Sequence, residues 1–371
     1  MSVTREALLE ALGRIKHPDI NKSLTELNLV SDLAVDAAGK AQVRIVLTSP
    51  AAPLKERLFA EITNALTSAG ATSVELSSEV RVIPRDITSE DPIPDVKNVI
   101  LVMSGKGGVG KSTVAANLTM ALHRSGMRVG LLDADIYGPS VPTMFGVSGR
   151  PTSADGKLIE PLERFGIKLM SIGFLLEDPK AAVVWRGPML HGALLQFVKD
   201  VRWGKLDYLI LDLPPGTGDV ALTLSQRIRS TGALIVTTPQ EVALQDVYKS
   251  VSMCQKVGIS ILGVVENESY FICDGCSKRH ELFGQGGGLK VAEFSDAPLL
   301  AQIPIDPSVR EWGDAGTPVV QAAPSSAIAK AFVELADRLA DRVSAHNMSK
   351  LGPLTIDRTG GKGPLHLPIA R

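Results

Sequence analysis

The most constraining feature of the sequence is a glycine-rich segment, SGKGGVGKST, at residues 104–113. An apolar run typical of a buried strand, Val99–Met103, leads into it, and a helical pattern, Lys111–Ser125, follows at once. The spacing G-x-x-x-x-G-K-S/T falls on Gly105, Gly110, Lys111 and Ser112. This order of strand, glycine turn and helix is typical of a P-loop, where backbone N–H groups and the helix dipole hold phosphates. The segment therefore predicts a triphosphate-binding site.

The residue types of this segment fit the binding of ATP with Mg²⁺. We expect Lys111 to neutralise the β- and γ-phosphates, Ser112 to offer its hydroxyl to Mg²⁺, and Thr113 to support the phosphate contacts. Glycines are needed because a side chain would collide with the phosphates. The predicted nucleotide-binding residues of the segment are Gly105, Lys106, Gly107, Gly108, Val109, Gly110, Lys111, Ser112 and Thr113.

Two further apolar runs end in aspartate, which is costly to bury unless a metal or a donor compensates it. In LLDAD, which ends one run, Asp133 is predicted to hold the Mg²⁺ hydration shell and Asp135 to orient the attacking water. In YLILD, Asp212 completes a Walker B pattern and is expected to meet Mg²⁺ through water. The loop LPPGTGD follows, and the N–H groups of Gly216 and Gly218 are expected to sense the γ-phosphate.

From Asn98 onwards, apolar runs alternate with helical patterns. The runs are Val99–Met103, Arg128–Asp133, Leu206–Leu211, Ala233–Thr237, Ser260–Val265 and Leu299–Ile303. The helical patterns are Lys111–Ser125, Met189–Asp200, Asp219–Ser230, Glu241–Val257 and Ser325–Ser344. Strands that are apolar throughout and spaced by helices indicate an α/β fold, with a mostly parallel sheet flanked by helices.

The order of patterns also predicts the domain organisation. Residues 1–83 combine two helical patterns with three alternating strands and indicate a small α+β domain. Residues 84–97 are rich in proline and charge and are predicted to be a linker. The ATPase domain is expected over 98–346, and 347–371, which glycine and proline interrupt, is expected to be a flexible tail.

Composition narrows the classes of partner. The chain of 371 residues has a formal net charge of −1, which gives no support for binding nucleic acid or an anionic membrane. It contains no apolar run long enough to span a bilayer and no signal-peptide core, so we expect a cytoplasmic location. Its three cysteines do not form the pattern of a disulfide framework.

Two of these cysteines, Cys273 and Cys276, form a C-x₂-C pair that can ligate one metal centre. They cannot complete a four-thiolate site alone, and a two-fold dimer would supply a second pair. Other interpretations are a redox pair, a half zinc site completed by His280, or a chance pairing. The third, Cys254, lies among apolar residues of a helical pattern and is predicted to be a core residue.

The form GKGGVGKS resembles the deviant Walker A segment of the ParA/MinD group of ATPases. In that group a second lysine crosses a dimer interface and contacts the partner's nucleotide, so the resemblance assigns Lys106 a catalytic role beside Lys111 and Asp135. The same resemblance points to Asn267 and to Pro304, within IPID, as contacts of the base.

A wider set of motifs resembles the Mrp/ApbC family of iron–sulfur cluster carrier ATPases over Asn98 to about Ala345. The set includes DADIYGPSVPTMFG, WRGPM, TTPQEVALQDV, ENESYFICDGC, LFGQGGG and IPIDPSVRE. The resemblance implies a homodimer with a [4Fe–4S] cluster between two C-x₂-C pairs, and ATP-coupled transfer to apoproteins. Residues 1–83 are similar to the small domain of iron–sulfur assembly proteins, although Ala52 stands where relatives often have cysteine, which favours docking of cluster-assembly partners.

Two alternative functions remain at this point. A positioning ATPase of the ParA/MinD kind needs a basic surface or a basic amphipathic helix, and the interrupted tail cannot form a continuous one. A metal insertase that moves nickel or zinc is compatible with thiolate ligands, but the six histidines of the chain are scattered rather than clustered.

Overall fold

The computed structural model describes residues 3–18, 20–50, 52–135, 138–175, 187–216, 222–223 and 227–351. The strands are β1 (Val30–Val35), β2 (Lys40–Leu47), β3 (Ser73–Val80), β4 (Val96–Ser104), β5 (Val129–Asp133), β6 (Leu162–Arg164), β7 (Ile167–Ser171), β8 (Leu206–Asp212), β9 (Gly232–Thr237), β10 (Ile261–Glu266), β11 (Phe271–Ile272), β12 (Arg279–His280) and β13 (Leu299–Gln302). The helices are α1 (Arg5–Leu12), α2 (Ala52–Ser68), α3 (Lys111–Arg124), α4 (Val141–Met144), α5 (Gly187–Lys199), α6 (Glu241–Lys256), α7 (Gly287–Ser295), α8 (Pro307–Asp314), α9 (Val319–Ala322) and α10 (Ala327–Leu351).

The larger sheet has the strand order β13-β10-β9-β4-β8-β5-β7-β6. Every neighbouring pair in it is parallel except β6 with β7. The central strands β8 and β9 are buried along their whole length, as expected when helices cover both faces of a parallel sheet. The predicted fold class is therefore confirmed. Because parallel strands point the same way, the residues that follow β4, β5 and β8 meet at one edge of the sheet.

The chain divides into two compact units, Pro84–Leu339 and a smaller one that contains the residues up to Ile83 and the chain from Ala340 onwards. The smaller unit has the sheet β1-β2-β3, in which β1 and β2 are antiparallel and β2 and β3 are parallel. Helices α1 and α2 contribute Leu8, Leu12, Leu58 and Ile62 to its core.

The predicted tail begins too early. Helix α10 continues to Leu351, and both Asn347 and Met348 are buried, Met348 in the core of the smaller unit. The Asn347 side chain donates to the Ile83 carbonyl oxygen over 2.9 Å. Neither glycine nor proline occurs between Pro324 and Gly352, so neither residue type ends the helix earlier. The rest of the predicted tail lies outside the described residues.

The segment 84–97, predicted to be a linker, is packed within the larger unit. The guanidinium of Arg85 forms an ion pair with Asp91, in which both side chains are almost fully buried, and Nη2 donates to Oδ1 over 2.9 Å. The same Asp91 oxygen accepts the Ile93 N–H over 3.0 Å. Proline removes helical periodicity, but side-chain hydrogen bonds hold the chain in place. Among the described residues, no helix is long and apolar enough to cross a membrane.

Candidate functional site

The glycine-rich segment connects β4 to α3, as predicted, and its glycines are required for two different reasons. Gly108 and Gly110 adopt positive φ values of 84° and 75°, which favour glycine. Gly105 instead lies against the backbone of α6, where an added Cβ would be 2.3 Å from the Val247 nitrogen. Gly110 also caps the N-terminus of α3, so the positive end of that helix lies next to the loop.

Lys111 is the centre of the charged groups at this edge. Its ammonium nitrogen lies 2.5 Å from Asp212 Oδ1 and 4.0 Å from Asp135 Oδ2, and the side chain is 6% exposed. It also lies 3.3 Å from the Ser112 hydroxyl oxygen. The structure thus brings together four of the residues predicted from sequence, although they come from α3, from the end of β8 and from the loop after β5.

The Asp212 carboxylate fits the predicted Mg²⁺ site. It is completely buried, and its second oxygen, Oδ2, has no hydrogen-bond partner among the described residues. Burial raises the pKa of Asp212, and the Lys111 ammonium opposes this shift. A buried carboxylate oxygen that lacks a donor is stabilised by a hydrated cation. The Ser112 hydroxyl and Asp212 Oδ1 both lie within hydrogen-bonding distance of the Lys111 ammonium, so these two of the predicted Mg²⁺ contacts are close together.

Asp133 lies beside Asp212 because β5 and β8 pair in register at these two residues. Its carboxylate accepts hydrogen bonds from the Asp135 and Val141 N–H groups and from the Ser171 hydroxyl, each over 3.1 Å. Burial and the nearby Asp212 charge raise the pKa of Asp133 to about 7. Since protein donors already occupy both of its oxygens, Asp133 is the less accessible of the two aspartates to a metal.

Two predicted residues around the phosphates have defined surroundings. Asp135 accepts the Gly138 N–H over 3.3 Å and is mostly buried. The Lys106 carbonyl oxygen accepts a hydrogen bond from the Ser104 hydroxyl over 3.0 Å. The Lys106 side chain is partly exposed, and its contact with a partner's nucleotide stays a prediction. The Gly216 N–H donates to the Ser104 carbonyl oxygen over 2.8 Å, and its role as a γ-phosphate sensor stays a prediction. Gly218 lies outside the described residues.

A cavity of about 660 Å³ extends from the glycine-rich loop. The predicted base contacts line it together with the loop: Gly110, Thr113, Asn267 and Pro304. The Asn267 side chain is nearly buried and donates to the Val109 carbonyl oxygen over 2.9 Å, which braces the loop from the far side. The cavity therefore continues the phosphate loop into a space bounded by the segments after β10 and β13.

The C-x₂-C pair lies on the turn of a short hairpin formed by β11 and β12. The Cys273 N–H donates to the Lys278 carbonyl oxygen over 3.0 Å, and the Ser277 N–H donates back to the Cys273 carbonyl oxygen over 2.8 Å. Cys276 is exposed and Cys273 is partly exposed. Backbone N–H groups of Gly275 and Cys276 point to the Cys273 sulfur and lower the pKa of its thiol. This turn therefore favours a thiolate that solvent can reach.

The other candidate metal ligands behave differently. Among the described residues, no third histidine, cysteine, aspartate or glutamate side chain completes a metal site, which contradicts a zinc site closed by His280. Cys254 is fully buried in α6 and its thiol lies 3.6 Å from the Met103 sulfur. Burial raises the pKa of Cys254 to about 11, so the prediction of a core residue agrees with its environment.

Sequence analysis missed Glu266, which lies at the end of β10 and is completely buried. Its carboxylate accepts hydrogen bonds from Ser269, Gln302 and the Gly288 N–H. The signal that identified Asp133 and Asp212, an acidic residue at the end of an apolar strand, was present here too. At this strand end, a role was predicted only for the next residue, Asn267.

Comparison with known proteins agrees with this site. A family model described as NUBPL iron-transfer P-loop NTPase matches residues 95–340, and one described as iron–sulfur cluster assembly protein matches residues 5–77. The chain is 46% identical to a protein of Synechocystis named iron–sulfur cluster carrier protein, over 92% of this chain and 98% of that protein. It is 44% identical to a protein of the same name from Escherichia coli K12, over 91% of both chains.

A solved structure also resembles this chain. The nucleotide-binding protein of Archaeoglobus fulgidus, in complex with ADP, is 42% identical with a TM-score of 0.54, over 62% of this chain and 92% of that one. The iron-transfer family model covers the strands of the larger sheet, the P-loop and the C-x₂-C hairpin described above. The chain therefore belongs to the iron-transfer P-loop NTPase family, and its residues 5–77 match the iron–sulfur cluster assembly type.

Proposed function

We propose that this chain is an ATP-dependent carrier that binds a [4Fe–4S] cluster between two copies of itself and transfers it to apo iron–sulfur proteins. The observation that carries the proposal is the solvent-accessible thiol pair on a turn that favours the thiolate, in the same compact unit as the P-loop. Relatives named iron–sulfur cluster carrier proteins support it.

The nucleotide site is suited to hydrolysis. Lys111 would hold the β- and γ-phosphates, and the α3 N-terminus would add its dipole. The Ser112 hydroxyl and Asp212 would hold Mg²⁺, which neutralises phosphate charge when it is bound. Asp135, 4.0 Å from the Lys111 ammonium, would orient the attacking water. Lys106 would reach the nucleotide of the second copy, while Asn267 and Pro304 would contact the adenine.

The thiol pair accounts for half of a cluster site. Four thiolates hold a [4Fe–4S] cluster, and each copy of the chain offers Cys273 and Cys276, so a two-fold dimer supplies the set. The cluster is cargo here, because its ligands lie on an exposed turn from which a recipient's thiolates can replace them one at a time. The smaller unit, which lacks a cysteine, is assigned to docking of partners.

Anaerobic reconstitution with iron and sulfide tests this function. We expect a brown protein with about four iron and four sulfide per dimer, which loses the cluster to an apo recipient. Cys273→Ala and Cys276→Ala should each abolish cluster binding. The matched control is Cys254→Ala, which removes a buried thiol of α6, outside the hairpin, and should keep the full iron content.

The outcomes separate the candidate functions. Iron retained in either hairpin variant would refute the cysteine assignment. Zinc or nickel bound without sulfide would indicate a metal insertase instead. Retention on DNA or on anionic vesicles at physiological salt, without cluster binding, would indicate a positioning ATPase.

A further inference from the structure

The segment Asn267–Gly288 contains one predicted base contact and both cysteines, and a single carboxylate ties its two ends together. Glu266 Oε1 accepts the Ser269 hydroxyl over 2.6 Å, near the start of the segment. Glu266 Oε2 accepts the Gly288 N–H over 2.5 Å, at its end. The Gln302 amide from β13 also donates to Oε1, over 2.7 Å.

Glu266 is completely buried, and no cation faces it in the hydrogen bonds above. Its charge is compensated by the N-terminus of α7, because Gly288 is the second residue of that helix and directs its N–H at the carboxylate. Close packing explains why α7 begins with two glycines. A Cβ at Gly288 would lie 2.7 Å from the Glu266 Cβ, and one at Gly287 would lie 2.6 Å from the Pro239 carbonyl oxygen.

The start of the same segment is bonded to the walls of the nucleotide cavity. Asn267 donates to the Val109 carbonyl oxygen in the phosphate loop over 2.9 Å. The Ser269 N–H donates to the Ile303 carbonyl oxygen over 2.9 Å, and the Ile305 N–H donates to the Tyr270 carbonyl oxygen over 2.7 Å. Since Asn267, Ile303 and Ile305 line the cavity, a shift of its walls also shifts the chain that leads into the hairpin.

We propose that Glu266 is a positioning residue that couples nucleotide binding to the geometry of the thiol pair, by clamping Ser269 to the start of α7. The inference rests on the proposed function, because it takes the nucleotide and the thiols to serve one cycle. Without the clamp, the hairpin segment is held at its start by the cavity wall and at its end by α7, but the two ends move separately.

Thiol reactivity measures this coupling without a cluster. The reduced, metal-free full-length protein is treated with iodoacetamide, with and without MgADP or a non-hydrolysable ATP analogue with Mg²⁺. Mass spectrometry then gives separate alkylation rates for Cys273, Cys276 and Cys254. We expect nucleotide to change the hairpin rates about fivefold or more, the lower end of ordinary coupling between two sites. The buried Cys254 reports global opening, so it separates loss of stability from loss of position.

Two variants that each remove one bond to the same carboxylate form a matched pair. Ser269→Ala removes the Ser269 half of the clamp and frees the chain at residue 269 from the carboxylate. The nucleotide effect should then fall to near unity while nucleotide affinity and the Cys254 rate stay as in wild type. Gln302→Ala removes a bond that is not part of the clamp and should keep the nucleotide effect. Glu266→Gln retains the side-chain volume and replaces Ser269→Ala as the test if that variant does not fold. In Glu266→Gln, too, nucleotide should no longer change the alkylation rates of the hairpin cysteines.

Three results would overturn the inference. One is a wild-type protein whose hairpin alkylation does not respond to bound nucleotide. Another is an equal loss in Ser269→Ala and Gln302→Ala, which would make Glu266 a general packing residue. The third is an unchanged nucleotide effect in Glu266→Gln. None of these three results depends on the iron and sulfide content of the reconstituted dimer, which tests the proposed carrier function separately.

Discussion

Replacing Lys111 by alanine tests the charge arrangement at the phosphate site before any nucleotide is added. The Lys111 ammonium lies 2.5 Å from Asp212 Oδ1, and the two side chains are 6% and 0% exposed. The substitution leaves Asp212 buried next to Asp133, with no cation at its carboxylate. Burial already raises the pKa of Asp212, and Lys111 is the main group that opposes the shift.

The expected magnitude follows from the burial of both partners. Removing one partner of a buried ion pair costs about 3–5 kcal/mol, because the remaining charge is left uncompensated. For a unit of this size each kcal/mol lowers the Tm by about 2–4 °C, so Lys111→Ala should unfold about 6–20 °C below wild type. The loss should become smaller as the pH is lowered, since burial raises the pKa of Asp212 and its protonation removes the unpaired charge.

Tryptophan fluorescence during thermal unfolding, in EDTA, is a suitable assay. Two of the three tryptophans, Trp203 and Trp312, lie in the described part of the larger unit, so their signal reports the unit that holds the site. Adding Asp212→Asn to the variant should recover at least half of the lost stability, because the uncompensated charge is gone. Lys106→Ala is the control, since Lys106 forms no ion pair within the described part of the chain, and it should leave the Tm within about 2 °C.

Two results would contradict this prediction. One is a Tm of Lys111→Ala equal to that of wild type, and the other is a double variant with a Tm no higher than that of Lys111→Ala. Either result would mean that the Lys111–Asp212 contact contributes nothing to the free energy of unfolding.

Three further predictions concern other groups of the site. Gly110→Ala should weaken ADP binding by at least about tenfold in calorimetry, because its φ is 75° and its Cβ would lie 2.2 Å from the Asn267 amide nitrogen. The control is Gly126→Ala, whose φ is 88° and whose Cβ would meet no atom within 4 Å. It should lower stability without changing the affinity for ADP. Asp133 has a folded pKa of about 7 against an ordinary 3.8, so the stability it contributes is complete below pH 3.8 and is lost as pH rises through 7. Urea unfolding of wild type should therefore show a free energy of unfolding that falls over this pH range, and Asp133→Asn should show a weaker fall. Alkylation of Cys273 should reach half its maximal rate below the usual thiol pKa of 9.0, whereas native Cys254 should resist alkylation up to pH 9, and a Cys254 rate equal to that of Cys273 would contradict both assignments.

Much of the architecture could be predicted because local patterns and the fold agree in this chain. The strands that build the centre of the larger sheet are mostly apolar, so their positions were clear. Strands β4 and β8 extend the predicted strands by only a few residues. Asp133 and Asp212 were both predicted to lie near Mg²⁺, and the structure places them together because they end neighbouring parallel strands.

The features that sequence analysis missed depend on contacts between distant residues. Helix α7 begins with glycines, which have poor helix propensity, and it forms where they allow close approach to Glu266 and Pro239. The order of the segment 84–97 depends on the buried Arg85–Asp91 pair, which no periodicity reveals. Strands β6 and β7 are short and lie at the edge of the sheet, with the antiparallel pair outermost.

The close approach at Gly105 changes how mutations there should be interpreted. The space that a side chain would need is filled by the backbone of α6, not by a phosphate, so any substitution must separate two rigid elements of the protein. A variant at this residue that no longer hydrolyses ATP would report a displaced helix as readily as a lost phosphate contact. Experiments that aim to remove a phosphate contact without displacing α6 are better directed at Lys111, whose replacement lowers stability through the lost ion pair but moves neither backbone.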